Sequence, residues 1–287
     1  MDKWILFKNA VNDLLVSNYS KSQVKKKWQL IANDFKNYRP NHLLNLLYLL
    51  DNSHLKLKSR ILDHGCGGGI TLFFLASKGY YNILGIDINS TQDYINRKNA
   101  CNKIFKIILN TNTNVIQHYN GKKINYKNNF FDYIYSQQVI EHVQSHLLDS
   151  YIAEERRILK SNGMVLHQIP HRLGPFEGHT KKWFIHWLPK KWYYYLLKDD
   201  KQNLNLVKNA LFLRWPWQLK SIFNKYFNNV NNLVNLRLKY DIVSEEYSKK
   251  EKIIRKILVL LFKVPLLGFI FLRLFSVFFQ LELLAKK

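Results

Sequence analysis

Between residues 60 and 169 the chain alternates two kinds of stretch. Short, mainly apolar runs, Ile61-Leu62, Ile83 to Ile88, Val115 to Tyr119, Phe130 to Ser136 and Met164 to Ile169, read as buried strands. Between them, Ile70 to Ala76 reads as a buried helix, with Gly79 placed to cap its C-terminus. Leu147 to Lys160 reads as an amphipathic helix ended by Asn162-Gly163. Ser90, with Asp93 three residues on, predicts a capping box for the helix between. Pro170 stops the fifth strand, since it has no N–H to offer a ladder. Strands alternating with helices predict an α/β fold on a largely parallel sheet with helices on both faces.

The flanks differ. Residues 1–55 carry apolar positions at helical spacing, at Trp4 to Phe7, Val11 and Leu14-Leu15, and again over His42 to Leu50 with Pro40 suited to a first turn. After Pro170 comes a glycine- and proline-rich loop to Thr180, then an aromatic stretch, Trp183 to Trp187 and Trp192 to Tyr195. Residues 217–243 are expected to supply one more helix and the last strands, Leu233 to Val243. The tail from Ile253 to Leu284 is apolar with basic punctuation. Val264 to Leu281 holds one charge, Arg273, in 18 residues. A spanning helix needs about 20 apolar residues, and a mid-bilayer arginine costs at least ~2.5 kcal/mol. Pro265 and Arg273 therefore favour an in-plane basic-hydrophobic helical tail over a span; helices packed on the domain or in a dimer are the other reading. The expected domains are an N-terminal helical cap (1–55), an α/β domain (56–245) with an aromatic loop at about 170–200, and a tail (246–287).

The chemistry concentrates at Asp63-His64-Gly65-Cys66-Gly67-Gly68-Gly69. A glycine turn between strand and helix opens a nucleotide-binding sheet, because glycine accepts positive φ and lets a ligand lie on bare backbone. A dinucleotide fingerprint would need glycine where Ile70 stands, and no Gly-Lys-Ser/Thr closes a P-loop. The pattern here is acid-x-Gly-x-Gly-x-Gly. Asp87 ends the second strand 18 positions after Gly69, close to the spacing of about 20 at which a carboxylate meets ribose hydroxyls.

These residues resemble the class I S-adenosylmethionine-dependent methyltransferases over about residues 55–170. The Phe-Asp opening of the fourth strand, Phe131-Asp132, and the Glu-His-Val run, Glu141 to Val143, belong to the same resemblance. It implies a Rossmann-like class I sheet and S-adenosyl-L-methionine as cofactor. It assigns cofactor contacts to Asp63, Gly65, Cys66 and Gly67 in the turn, Asp87 and Ile88 at the second strand, Asn120 after the third, and Ser136 and Gln137 at the fourth. The loop after Pro170 is similar to those of bacterial methyltransferases associated with surface-polysaccharide pathways, which implies a substrate lid. Methyl transfer to a hydroxyl benefits from a general base, and His171, Glu177 and His179 on that loop are the candidates, His171 first. In the quinone-ring O-methyltransferases a Glu-x-x-Glu-His run here accompanies a divalent metal. Gln138 stands in the first position, so Glu141 and His142 alone imply no metal site.

Forty-four Lys+Arg against 20 Asp+Glu give a net charge of +24, which attracts an anionic membrane surface or nucleic acid. The lysines are scattered without a basic arm, and no amino-methylating Asn/Asp-Pro-Pro-Tyr motif follows the fourth strand, so nucleic acid ranks below a saccharide, lipid or small-molecule acceptor. Cys66 and Cys101 offer neither a disulfide framework nor zinc spacing; Cys66 reads as a small residue filling the turn. The opening residues lack a signal-peptide pattern. The expectation is a cytoplasmic O-methyltransferase, peripheral at the inner membrane face, acting on a saccharide or lipid-linked acceptor. A quinone-type or an RNA-binding methyltransferase are the alternatives.

Overall fold

The computed structural model of the 287-residue chain describes residues 55–234, 249–265 and 278–287, with single positions at 5, 8, 9, 33, 34, 46, 236, 268, 270 and 274. The expected N-terminal helices, the strand expected over Leu233 to Val243 and most of 264–281 lie outside the described residues, single positions apart. The chain divides into two compact units, one of residues 1–136 and 157–163, the other of 137–156 and 164–287.

In the first unit, strands β1 (Ile61–His64), β2 (Ile83–Asp87), β3 (Ile116–His118) and β4 (Phe131–Gln137) lie in the order β3-β2-β1-β4. All their pairings are parallel, with Asp63 opposite Gly85 on one side and Tyr135 on the other. Every residue of β1 is buried, Asp63 and His64 included, as expected of a strand covered on both faces in a parallel sheet. Helix α1 (Ile70–Ser77) is buried nearly all round. It stops where expected: Gly79, at φ 92°, donates its N–H to Ala76 O at 3.0 Å. Helix α2 (Gln92–Leu109) starts one residue later than the capping box predicts. Thr91, not Ser90, is the N-cap and accepts from Tyr94 N–H. Asn89 Oδ1 accepts from the Thr91 N–H and hydroxyl, which sets the cap there. The buried amide of Asn102 on α2 pairs with both backbone groups of Ile116, fixing α2 to β3.

In the second unit, β5 (Leu159–Ile169) pairs antiparallel with β9 (Leu281–Lys286), and β9 pairs antiparallel with β8 (Asn228–Asn232). This corrects the tail. Residues 281–284, expected to be helical, form a buried strand, Leu281 to Ala285. Glu282 is buried along with its apolar neighbours, so the strand shows no in-and-out alternation. Helix α3 (Leu148–Ile158) is tied to β5 by a buried pair, His167 Nε2 to Glu155 Oε2 at 2.8 Å. The aromatic stretch forms a two-residue hairpin, β6 (Phe176–Glu177) with β7 (Lys182–Trp183), a short turn over Ile185–Trp187, and helices α4 (Lys190–Leu196) and α5 (Lys201–Asn209). Tyr193, Leu197, Val207 and Leu211 give α4 and α5 a small core of their own. Helix α6 (Pro216–Tyr226) leads into β8. Helix α7 (Lys249–Phe262) exposes Ile253, Ile254, Ile257 and Leu260. Among the described residues no helix is long and apolar enough to cross a membrane.

Candidate active site

The glycine turn sits at the carboxyl end of β1. Gly65 and Cys66 donate their N–H groups to Ile86 O at 2.8 and 3.1 Å. Gly65, Gly67 and Gly69 hold φ of 84, 47 and 73°, which side-chain-bearing residues rarely adopt. A Cβ at Gly67 would meet nothing within 4 Å, so bare backbone faces open space there. Cys66 is a small buried filler, as expected: its Sγ lies where a Cβ at Gly85 would stand, 2.7 Å away. Burial pushes its thiol well above the usual range.

Asp87 organises the edge. Its Oδ2 accepts from Gly67 N–H at 2.8 Å, its Oδ1 from Asn89 N–H at 2.9 Å, and its main-chain oxygen from Tyr119 N–H at 2.9 Å. One residue therefore ties the turn to the ends of β2 and β3. Ile88 beside it is 64% exposed, a large aliphatic surface at the ligand edge of the sheet. Asn120 is exposed and closes its own turn by accepting from Lys122 N–H at 3.0 Å. Ser136 is buried at the end of β4, and Gln137 is half-buried at the start of the second unit. Asp63 is buried, and burial, with the charge of Asp87 adding to it, pushes its carboxyl up to about 8. His64, which the sequence reading passed over, is buried with its ring edge-on to Tyr119 at 5.5 Å.

The second unit gathers a histidine–carboxylate cluster. Glu141 and His142 lie on a short 3-10 turn (Ile140–His142) after β4. The 210–214 segment holds that turn. Ala210 O accepts from His142 Nδ1 at 2.6 Å, Phe212 N–H donates to Glu141 O at 2.6 Å, and Arg214 donates to the carbonyls of Ile140 and Val143. His179, on the β6–β7 turn, faces the His142 ring edge-on at 5.0 Å. Its Nδ1 is bonded to Glu177 Oε1 at 2.7 Å, and this bond raises its pKa. Burial would raise Glu177, but N–H groups of His179 and Thr180 and the His179 ring hold its carboxyl at about 2. Glu141 is 1% exposed, and burial pushes its carboxyl up to about 8. A cleft of about 280 Å³ is lined by Gln138, Pro170, His171, Phe176, His179 and Phe278, among others.

His171, placed first among the bases by sequence, is differently employed. It is buried, its Nε2 bonds Phe279 O at 2.6 Å, and its Nδ1 accepts from Leu173 N–H at 3.2 Å. Burial pushes its pKa down to about 4. Both ring nitrogens are occupied, so it shapes the loop, while His179 keeps Nε2 for a ligand. Glu141 and His142 reach His179 only through the fold, a meeting their sequence separation conceals.

The first unit's residues fit a cationic adenosyl ligand. Two carboxylates stand at the glycine turn, one of them raised in pKa by burial and by the charge of the other, beside bare backbone and an exposed isoleucine. This parallel sheet, acid-led turn and second-strand carboxylate define an S-adenosylmethionine-dependent methyltransferase of the class I, Rossmann-like kind. The chain belongs to the methyltransferase-domain family, whose model matches residues 34–229. It is 25% identical over 228 residues to a ubiquinone biosynthesis O-methyltransferase of Glaesserella parasuis, covering 77% of this chain and 90% of that protein. It is 26% identical over 214 residues to the protein of the same name from Histophilus somni, covering 72% and 84%. Among solved structures, an S-adenosylmethionine dependent methyltransferase from Mesorhizobium loti has the same fold, with a TM-score of 0.51 at 13% identity over 86% of this chain and 98% of that one.

Proposed function

We propose that the chain methylates a hydroxyl oxygen on an amphiphilic acceptor, a lipid-linked saccharide or lipid, at the cytoplasmic face of a membrane. S-adenosylmethionine supplies a methyl group already activated by its cationic sulfur. The chain's own residues then need only hold the acceptor and take its proton. His179 is suited to the second task, because Glu177 fixes its Nδ1–H and leaves the Nε2 lone pair outward.

The observation that carries the amphiphilic acceptor is an aromatic path leading from the cleft. Phe176 lines the cleft and contacts Trp183 at 5.1 Å between ring centroids; Phe184 lies 5.9 Å from Trp183, and Trp187 4.9 Å from Phe184. Trp183 is 61% exposed, and Lys181, Lys182, Lys190 and Lys191 flank the path as exposed cations. Tryptophan and lysine together favour a bilayer interface, where an apolar body and a polar tip are both accommodated. The exposed isoleucines of α7, with Lys249, Lys250, Arg255 and Lys256 on the same helix, suit the same surface.

A quinone-type acceptor is the second reading, favoured by the names of the two curated relatives. Mass spectrometry of cellular glycans, lipids and quinones with and without the gene separates them. The proposal expects one methyl group lost from a saccharide or lipid species. Loss from a quinone alone would move the assignment to the second reading, and an unchanged profile would refute both.

A further inference from the structure

Among the described residues, Glu141, His142 and His179 each bring a metal-capable donor atom within 4.8 Å of the other two. We infer that this cluster binds a first-row divalent cation of the zinc type, with an open position facing the acceptor cleft. The inference deepens the reading of His179 given above and shares its cluster, but cation binding stands apart from methyl transfer and is read directly.

Three features carry it. First, both oxygens of the Glu141 carboxylate are buried and have no hydrogen-bond partner. A buried carboxyl is normally hydrogen-bonded, ion-paired or bound to a metal. Arg214 does not supply the partner: its hydrogen bonds go to the carbonyls of Ile140, Phe212 and Val143. Second, both imidazoles are oriented as ligands. His142 Nδ1 bonds a main-chain carbonyl at 2.6 Å and His179 Nδ1 bonds a carboxylate at 2.7 Å. Each Nδ1–H is thereby committed, and the lone pair lies on Nε2. A ligating histidine almost always donates its other N–H in this way. Third, His142 is exposed and His179 lines the cleft, which gives the ion a way in and leaves room for a further ligand.

The donor set selects the ion. Sequence alone implied no metal because Gln138 replaces a carboxylate. The fold supplies a different third donor, His179, from the β6–β7 turn. Two imidazoles and one carboxylate suit zinc, cobalt or iron(II) better than magnesium or calcium, which want an oxygen shell. Zinc bonds are about 2.0–2.2 Å, so donors must come to roughly 3–3.5 Å of one another, and binding requires the three side chains to draw together to that separation. Three protein ligands with a fourth position open is a catalytic arrangement, not a structural one. An acceptor hydroxyl in that position would lose its proton more readily. The O–H bond would break with the proton passing to solvent, and the oxygen's electron pair would form the bond to the methyl carbon as the C–S bond breaks and its pair returns to sulfur, leaving S-adenosylhomocysteine. With the ion seated, His179 Nε2 is a ligand and the ion takes over the activation.

The test uses the full chain, stripped with chelator and titrated with Zn²⁺ by calorimetry and with Co²⁺ by visible absorption. S-adenosylhomocysteine binding is measured on every sample as a check that the cofactor seat is intact. The expected result is one equivalent bound, with tetrahedral or five-coordinate cobalt bands. Glu141→Gln and His179→Asn each abolish those bands. Glu177→Gln, which leaves the ligands in place, weakens binding ~10–100-fold. Wild-type protein that takes up neither ion, or variants that bind as wild type does, would overturn the site. If either variant loses S-adenosylhomocysteine binding as well, the cobalt spectrum of the wild-type protein decides alone. Loss of S-adenosylhomocysteine binding in wild type with the cation retained would instead strike the cofactor assignment.

Discussion

Asp63 and Asp87 show how single residues carry this molecule's chemistry. Asp87 latches Gly67 and Asn89, and burial, with the charge of Asp87 adding to it, pushes the Asp63 carboxyl up to about 8. The folded pKa lies above the unfolded one. The native state therefore binds more protons between about pH 4 and 8, and stability falls as pH rises through that window. Asp63→Asn is expected to flatten this decline, which denaturant titrations at several pH values will measure. The cofactor's positive charge favours the ionised carboxyl, so its binding should release a proton below pH 8 and tighten as pH rises toward 8. Calorimetry in buffers of different ionisation enthalpy detects that proton, and Asp63→Asn should abolish it. Gly67→Val places a branched side chain at φ 47° over the open turn. It should weaken S-adenosylhomocysteine at least ~10-fold by binding assay, since the strained conformation and the ligand's space are both affected. At the acceptor end, His179→Gln should cost ~10²–10⁴ in turnover, the range for a lost general base.

Among the elements, β1, β2, β4 and α1 were legible because each is largely buried, with Asp63 near the end of β1, Asp87 ending β2 and Gly79 just past α1 as boundary signals. Two elements were not. The strand β9 ends an apolar stretch that reads as helix, and its partner β5 lies more than a hundred residues earlier, so no local signal marks the pairing. The cap of α2 moved to Thr91 because Asn89 competes for that backbone, a contest between neighbouring polar residues that pattern alone does not resolve. The histidine–carboxylate cluster was hidden for the same non-local reason: the 210–214 segment and the β6–β7 turn bring together residues nearly forty positions apart. Between α3 and β5, Glu155→Ala leaves His167 in a buried site without its partner. Leaving a buried polar group without its hydrogen-bond partner costs about 1–3 kcal/mol. Chemical denaturation should show that loss, and a change below ~1 kcal/mol would mean the pair is not buried in solution.

Over the whole chain, a charge of +24 and two exposed apolar surfaces within the second unit support a working place at an anionic bilayer. The position of β9 dictates how to test it. Deleting the tail would remove a buried sheet strand, so point substitutions are the proper probe. Ile253→Ser with Ile257→Ser on α7, and Trp183→Ala with Trp192→Ala on the aromatic surface, should each reduce flotation with anionic vesicles while leaving S-adenosylhomocysteine binding intact. Flotation equal to wild type in both would remove the membrane role. The enzyme assignment itself rests on the seat for the adenosyl cofactor, and one calorimetric comparison tests it most directly. S-adenosylhomocysteine titrated into the wild-type chain should bind at one site, and Asp87→Ala, which frees the Gly67 turn and removes the carboxylate expected to meet the ribose, should weaken it at least ~10-fold, the loss of one charged hydrogen-bonding partner. No binding by the wild type, or equal binding by the two proteins, would contradict the account.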